Sequence, residues 1–137
     1  MDAAGIALLV PHHGAMCLLD RLMAWNASSI RCETDRHRDS TNPLRRDGLL
    51  PAVCGLEFAL QATALHGALR AGAAQSIGFV SSLRDAQFDV ARLDDIAGTL
   101  SIDAIAEVME RSGFIYRFTI GAAGTTLLSG RAAVMLA

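Results

Sequence analysis

Alternating apolar and polar positions predict a β-rich chain interrupted by one long helical segment. The clearest alternations lie at 100–108 and 114–120, where apolar side chains recur at every second position, as on a strand with one buried face. A turn-forming Asn26-Ala-Ser-Ser sequence separates the first two apolar runs and indicates a hairpin. The complete pattern predicts five or six antiparallel strands, which we place at 17–25, 30–34, within 77–88, 100–108, 114–120 and 125–136.

Residues 52–69 have a different pattern and are apolar almost all round. The segment is rich in Ala and Leu, contains no proline after Pro51, and ends at Arg70-Ala71-Gly72, a typical helix stop. A helix of this kind must be surrounded by protein. Because a flat sheet covers only one side of it, either the sheet curls around the helix or a second copy of the chain covers the other side. We expect an α+β hotdog fold, in which a curled antiparallel sheet wraps around one long central helix. This fold is usually completed by a dimer.

Composition narrows the class of protein. The chain has 137 residues, of which 52% are hydrophobic, and we predict a single globular domain over 1–137. A formal net charge of -2 provides no bulk attraction for nucleic acid or anionic lipid, so neither is expected as a partner. All basic residues are arginine, which excludes lysine Schiff-base and lysine general-base chemistry.

Cysteine usage and the apolar segments indicate a compartment. The 3 cysteines form neither a Cys-x-x-Cys pair nor a zinc spacing, so we expect a reduced cytoplasm and no metal site. No positively charged region precedes the short apolar run Ile6–Val10, which argues against a secretory signal. The long apolar stretch 49–69 contains Glu57, Gln61 and His66, which are costly in lipid, so we expect no membrane span.

Two motifs carry a family resemblance. The segment Pro11–Arg21 (Pro-His-His-Gly-Ala-Met-Cys-Leu-Leu-Asp-Arg) resembles the motif Pro-His followed by Leu-Leu-Val-Asp-Arg of the β-hydroxyacyl-acyl-carrier-protein dehydratases. Pro51, Val53, Glu57 and Gln61 match the start of that family's central helix at the same spacing. Over nearly the whole chain, the sequence is most similar to the small predicted-hotdog branch associated with aryl polyene and secondary lipid pathways.

The resemblance implies an activity and a carrier. Such an enzyme dehydrates a 3-hydroxyacyl thioester to the trans-2-enoyl thioester and needs neither a metal nor a redox cofactor. The acyl group is carried on the phosphopantetheine arm of acyl carrier protein or on coenzyme A. Acyl carrier protein and a second hotdog chain, as homodimer or heterodimer, are therefore the implied partners.

One departure from the family pattern concerns the catalytic base. The family's histidine lies in a Gly-His-Phe-Pro-Gly stretch before the central helix, but the spacing from Glu57 places Pro43 there, and no histidine occurs from Asp39 to Leu50. We predict that His12 supplies the base, because the unperturbed pKa of histidine, about 6.5, lies near working pH. His13 is its nearest rival. The alternative for both is a loop histidine bonded to backbone carbonyls.

Further site residues follow from the central helix. Glu57 lies on an apolar helix, where a carboxylate needs a partner, and we predict a proton donor; the alternative is a cap at the helix start. Gln61, one turn later, is placed to orient that carboxyl or a substrate hydroxyl. Backbone N–H groups around Cys54 and Gly55 are candidates to bind the thioester oxygen. For Gly55 the alternative is tight packing against a strand, and Cys54 lacks an adjacent base for nucleophilic chemistry.

The remaining candidates have weaker signals. His66 lies about half a rotation around the helix from Glu57 and is expected to be a packed or interface residue. His37 stands in the polar loop 35–48 and is expected to be solvated. Five arginines between 31 and 46 form either a docking face for an acidic carrier protein or an ordinary solvated loop.

The sequence leaves three functions open. Dehydration is the leading one because both motifs point to it. A hotdog thioesterase would use the carboxylate to activate water. A non-catalytic subunit would have lost the loop histidine and would support a complete dehydratase.

Overall fold

The computed structural model describes residues 1–12, 14–74 and 78–136. Six strands form one antiparallel sheet in the order β1-β2-β4-β5-β6-β3. Their bounds are Arg21–Trp25 (β1), Ser29–Thr34 (β2), Gly78–Phe88 (β3), Leu100–Glu110 (β4), Gly113–Ala122 (β5) and Thr125–Leu136 (β6). Two α-helices, Ala3–Ala7 (α1) and Gly55–Ala71 (α2), accompany the sheet. The predicted fold class, one curled antiparallel sheet around one long helix, is confirmed.

The buried face of the sheet follows the alternation in the sequence. Fully or almost fully buried side chains line the concave side of β4 and β5: Leu100, Ile102, Ala104, Tyr116, Phe118 and Ile120. The predicted alternation fails at the end of β4, where the pairing with β5 shifts register between Ala106 and Val108. A bulge turns the following side chains to the other face, and Val108 is accordingly 39% exposed.

Helix α2 lies on this concave face. Phe58, Ala62 and Leu65 are completely buried, and the helix ends at Gly72, which adopts φ 75° and donates its N–H to the Ala68 carbonyl. The stretch Ala52–Ala71 is long and apolar enough to span a membrane, but buried core helices have the same property. In this fold, 56% of its most apolar 18-residue window is buried.

One stripe of α2 is less completely covered than the rest. Leu56, Leu60 and Ala64, spaced at one helical turn, are only half-buried. The stripe faces β3, an edge strand on which Val80 and Leu83 are each 41% exposed. The central helix is therefore enclosed by its own sheet on one side and left partly open on the side of the free edge.

A short N-terminal helix was not predicted. In α1, Asp2 caps the helix by accepting a hydrogen bond from the Gly5 N–H, and Ile6 and Val10 are buried in the core. Ile6, Leu9 and Val10 have helical spacing, but the run is too short for periodicity alone to predict a helix. Helix α1 brings Leu9 and the following residues to the side of α2.

The polar loop before α2 is more ordered than its composition indicates. Residues Arg36–Arg38 form a 3₁₀ turn whose His37 is fully buried, so the expectation of a solvated His37 was wrong. Its imidazole Nε2 lies 3.1 Å from the Ile96 carbonyl oxygen. The Asp94 carboxylate accepts the Leu50 N–H at 2.8 Å and fixes the chain just before α2. The start of the central helix is thereby held in place.

Candidate functional site

The structure brings together the two residues predicted to be catalytic. His12 Nε2 lies 2.8 Å from Glu57 Oε1, within hydrogen-bonding distance. Their side chains are 23% and 29% exposed, so the pair is neither sealed in the core nor free in solvent. Among the described residues, the hydrogen bond of the Glu57 carboxyl is to His12 and not to backbone N–H groups at the helix start. This contact accounts for a carboxyl on an apolar helix.

An apolar cavity of about 180 Å³ begins at this pair. It runs between α2 and the ends of β3, β5 and β6, and the N-terminal segment covers one side. Its described lining consists of Leu9, Pro11, His12, Glu57, Leu60, Thr63, Ala64, Gly67, Gly78, Phe79, Val80, Phe114, Tyr116, Val134 and Leu136. The polar pair is thus placed beside a cavity whose walls suit an acyl chain.

Hydrogen bonds downstream of His12 hold its backbone. The Cys17 thiol donates to the His12 carbonyl at 3.3 Å, and the Cys17 N–H donates to the Gly14 carbonyl at 3.1 Å. Gly14 itself adopts φ 58°, a left-handed conformation that glycine takes without strain. These contacts form a compact turn between His12 and the strand region that follows.

Gln61 is close to the site but does not contact the carboxyl of Glu57. Its side chain is completely buried, and its Oε1 accepts the Leu18 N–H at 2.8 Å. Its Nε2 donates to the Met16 carbonyl at 2.6 Å. The prediction that Gln61 orients the carboxyl or a substrate hydroxyl is therefore corrected: its amide binds the backbone of the segment after His12.

Cys54 and Gly55 do not line the cavity described above. The N–H of Cys54 donates to the Pro51 carbonyl, and that of Gly55 donates to the Ala52 and Val53 carbonyls. Both predicted donors to a thioester oxygen are thus used within the 3₁₀ turn that precedes α2. Burial raises the pKa of the Cys54 thiol, which disfavours a nucleophilic thiolate.

Gly55 has the packing role that the sequence left as the alternative. A Cβ atom at this position would lie 2.9 Å from Cδ2 of Leu128, a fully buried residue of β6. The glycine permits the helix to approach the sheet closely. The absence of a side chain at Gly55 therefore makes room for Leu128 and not for a substrate.

His37 and His66 lie apart from the pair of His12 and Glu57. The prediction for His13 falls outside the described residues. His66 is packed, as predicted: Nδ1 accepts a hydrogen bond from the Tyr116 hydroxyl, 2.7 Å away, and Nε2 donates to the Asn26 carbonyl, 2.9 Å away. Desolvation lowers the pKa of both His66 and His37. Burial therefore favours the neutral form of both imidazoles.

Tyr116 is a wall residue of the cavity that the sequence did not single out. It lies on the predicted buried face of β5, and burial raises the pKa of its hydroxyl to about 12. In the sequence, Tyr116 lies on the apolar face of a strand, and this pattern does not distinguish a cavity wall from an ordinary core residue.

Comparison with protein-family models identifies the family of this chain. The ApeP-like family model, described as ApeP dehydratase, matches residues 4–137. The chain belongs to the ApeP-like dehydratase family. The predicted resemblance to the small hotdog dehydratase branch is thereby confirmed.

Solved structures share this fold. The dehydratase heterocomplex ApeI:P from Xenorhabdus doucetiae matches with a TM-score of 0.84 and 21% identity, covering 96% of this chain and 90% of that chain. A homologue of HP0420 from Helicobacter felis matches at 0.64 and 14% identity, with coverages of 96% and 87%. A mutant thioesterase from Pseudomonas aeruginosa matches at 0.60 and 16% identity, with coverages of 85% and 81%. No curated protein sequence matches this chain significantly.

In this ApeP-like chain, the second half of the N-terminal motif is structural. The Asp20 carboxylate accepts hydrogen bonds from the Asp35 N–H at 2.8 Å and from Arg36 Nε at 2.9 Å. It thereby joins the start of β1 to the end of β2. The motif combines a candidate catalytic residue, His12, with an aspartate that ties down the strand region after it.

Proposed function

We propose that this chain dehydrates a 3-hydroxyacyl thioester to the trans-2-enoyl thioester, with His12 as the base and Glu57 as the acid. The observation that carries the proposal is the 2.8 Å contact between His12 Nε2 and Glu57 Oε1 beside an apolar cavity. Membership of the ApeP-like dehydratase family supports the reaction class. Proton transfer by positioned groups of this kind contributes about 10²–10⁴ in rate.

The pair accounts for every proton in the reaction. His12 takes the proton from the α-carbon, the electron pair of that C–H bond forms the double bond, and the β-hydroxyl leaves. Glu57 delivers a proton to the departing hydroxyl, which becomes water. The direct contact between Nε2 and Oε1 then returns the proton from His12 to Glu57. No net proton is gained or lost, and the substrate need only displace the contact between the two groups.

We place the acyl chain in the cavity beside α2 and the thioester at the His12 end. Leu60 and Ala64 lie on the same helix beyond Glu57 and provide an apolar wall in that direction. The carrier is the phosphopantetheine arm of acyl carrier protein, with coenzyme A as the alternative. The proposed reaction uses neither a metal nor a redox cofactor. We place the protein in the cytoplasm, since its three cysteines are free.

Two loop arginines support docking of an acidic carrier. Of the arginines expected to form such a face, Arg31, Arg36 and Arg38 pair with Asp103, Asp20 and Asp35. Arg45 and Arg46 instead donate to backbone carbonyls of their own loop and so keep their charge uncompensated by these contacts. Arg46 is exposed and lies in the loop preceding α2.

The decisive experiment incubates the purified chain, alone, with 3-hydroxyacyl carriers of several chain lengths and follows the products by mass spectrometry. Loss of water from the intact thioester supports dehydration. Release of a free acid supports instead a thioesterase, the activity named for one structurally similar protein. The same assay with His12→Ala tests whether any observed dehydration depends on the proposed base.

A second candidate is a subunit that acts only with another hotdog chain. It is favoured by the exposed edge strand β3, which carries Phe79 at 58% exposure, and by the fact that a structurally similar dehydratase is a heterocomplex. We propose that a partner strand pairs with β3 and completes the wall of the cavity, to which Phe79 and Val80 contribute. Dehydration that requires an added hotdog partner would support this candidate over a self-sufficient enzyme.

A further inference from the structure

Gln61 is a buried amide in a helix that is otherwise almost entirely apolar. Its exposure is 0%, and a polar group in that position is costly unless it is hydrogen-bonded. Both ends of the amide are used: Oε1 accepts the Leu18 N–H, and Nε2 donates to the Met16 carbonyl. Neither bond stabilises the helix itself. They join the helix to the chain segment that follows His12.

That segment is in turn bonded to His12. Cys17, between the two residues that Gln61 holds, donates its thiol to the His12 carbonyl at 3.3 Å. Glu57 and Gln61 are one turn apart on the same face of α2. The same helix face therefore binds the imidazole of His12 through Glu57 and the backbone after His12 through Gln61.

We propose that Gln61 is a positioning residue that holds His12 within hydrogen-bonding distance of Glu57. The expected effect on turnover rests on the proposed function, whereas the positioning of His12 by Gln61 does not. A helix is a rigid reference, and a catalytic side chain on a loop is held accurately only if the loop is fixed to such an element. Gln61 does not line the cavity, so its substitution should change turnover and not substrate binding.

The test uses Gln61→Met, which preserves the volume of the side chain and removes both hydrogen bonds. In the substrate-free protein, the NMR signal of the hydrogen-bonded proton between His12 Nε2 and Glu57 Oε1 (the His12 signal), identified by its absence in His12→Ala, should be lost or broadened by exchange with water. The kcat should fall by about 10–100-fold with little change in KM, as for a misplaced catalytic group. Ile102→Ala, a cavity variant in the buried part of β4, is the control and should keep the signal.

Gln61→Glu provides a second test within a single folded variant. While its buried carboxyl is protonated, its O–H donates to Met16 and its carbonyl accepts from Leu18, so the His12 signal should be retained. Raising the pH from about 6 to about 9 ionises such a carboxyl and should remove the signal from this variant before it is lost from the wild type.

An unchanged His12 signal in Gln61→Met, or one that follows the wild type at every pH in Gln61→Glu, would overturn the inference. If Gln61→Met does not fold, the pH comparison of Gln61→Glu with the wild type decides alone. A wild-type protein that keeps the His12 signal but does not dehydrate any carrier would contradict the proposed function and leave the positioning role standing.

Discussion

His12 and Glu57 are separated by 45 positions in the chain, yet their side chains meet at 2.8 Å within one chain. His12 comes from the segment after α1, and Glu57 comes from the first turn of α2. The two groups meet although no histidine occurs from Asp39 to Leu50, just before the central helix. Substitution of each residue in turn can therefore measure its separate effect on kcat.

We expect His12→Ala to lower kcat by about two to four orders of magnitude, because it removes a positioned proton-transfer group. Turnover of a 3-hydroxyacyl carrier, measured by mass spectrometry, checks the loss. His13→Ala is the matched control and should cost much less. Equal losses in the two variants would contradict the assignment of the base to His12.

Glu57→Gln should keep the fold and remove most of the turnover. The amide is nearly isosteric with the carboxyl and can still hydrogen-bond to His12, but it cannot deliver a carboxylic proton. Thermal unfolding should show an unchanged Tm, while kcat falls by about 10²-fold or more. Activity like that of the wild type would show that the carboxyl only orients His12.

The two buried histidines predict a loss of stability at mildly acidic pH. The pKa values of His66 and His37 are lowered chiefly by desolvation, so the unfolded chain binds more protons than the folded one as pH falls below about 6.5. The free energy of unfolding should therefore be highest above this pH and decrease below it. The lowered pKa values of Asp35 and Asp39 add losses only near and below about pH 4, where free aspartate titrates.

Urea unfolding at about pH 7.5 and about pH 5.5 measures this effect on either side of the unperturbed histidine pKa. In His66→Gln, which retains hydrogen-bonding groups but does not titrate, the difference between the two conditions should be smaller than in the wild type. A difference as large as that of the wild type would show that His66 does not contribute.

The exposed edge of the sheet predicts an assembly larger than a monomer. Strand β3 extends over 11 residues, and Phe79, Leu83 and Phe88 on it are each more than 40% exposed. Light scattering at micromolar concentration should show a dimer or larger species, alone or with a hotdog partner. Leu83→Arg should weaken the assembly, whereas Ile105→Arg, on β4, should not. A monodisperse monomer under both conditions would contradict the prediction.

Much of the fold could be predicted because it depends on local periodicity. The alternation around Ile102 and Phe118 identifies the face of the sheet that is buried, and the apolar pattern of 52–69 indicates a helix enclosed by that sheet. The helix that was not predicted, α1, is also a local feature. The spacing of Ile6, Leu9 and Val10 is compatible with a helix, but the run is too short for periodicity to predict one.

The sequence by itself determined the fold class, the family resemblance and the two residues most suited to proton transfer, because each depends on residue type and spacing along the chain. Only the tertiary structure decided that Glu57 meets His12, that Gln61 binds the backbone at Met16 and Leu18, and that His37 is buried. These outcomes depend on side-chain directions and on distances between segments far apart in sequence, which the hydrophobic effect, being non-directional, does not specify.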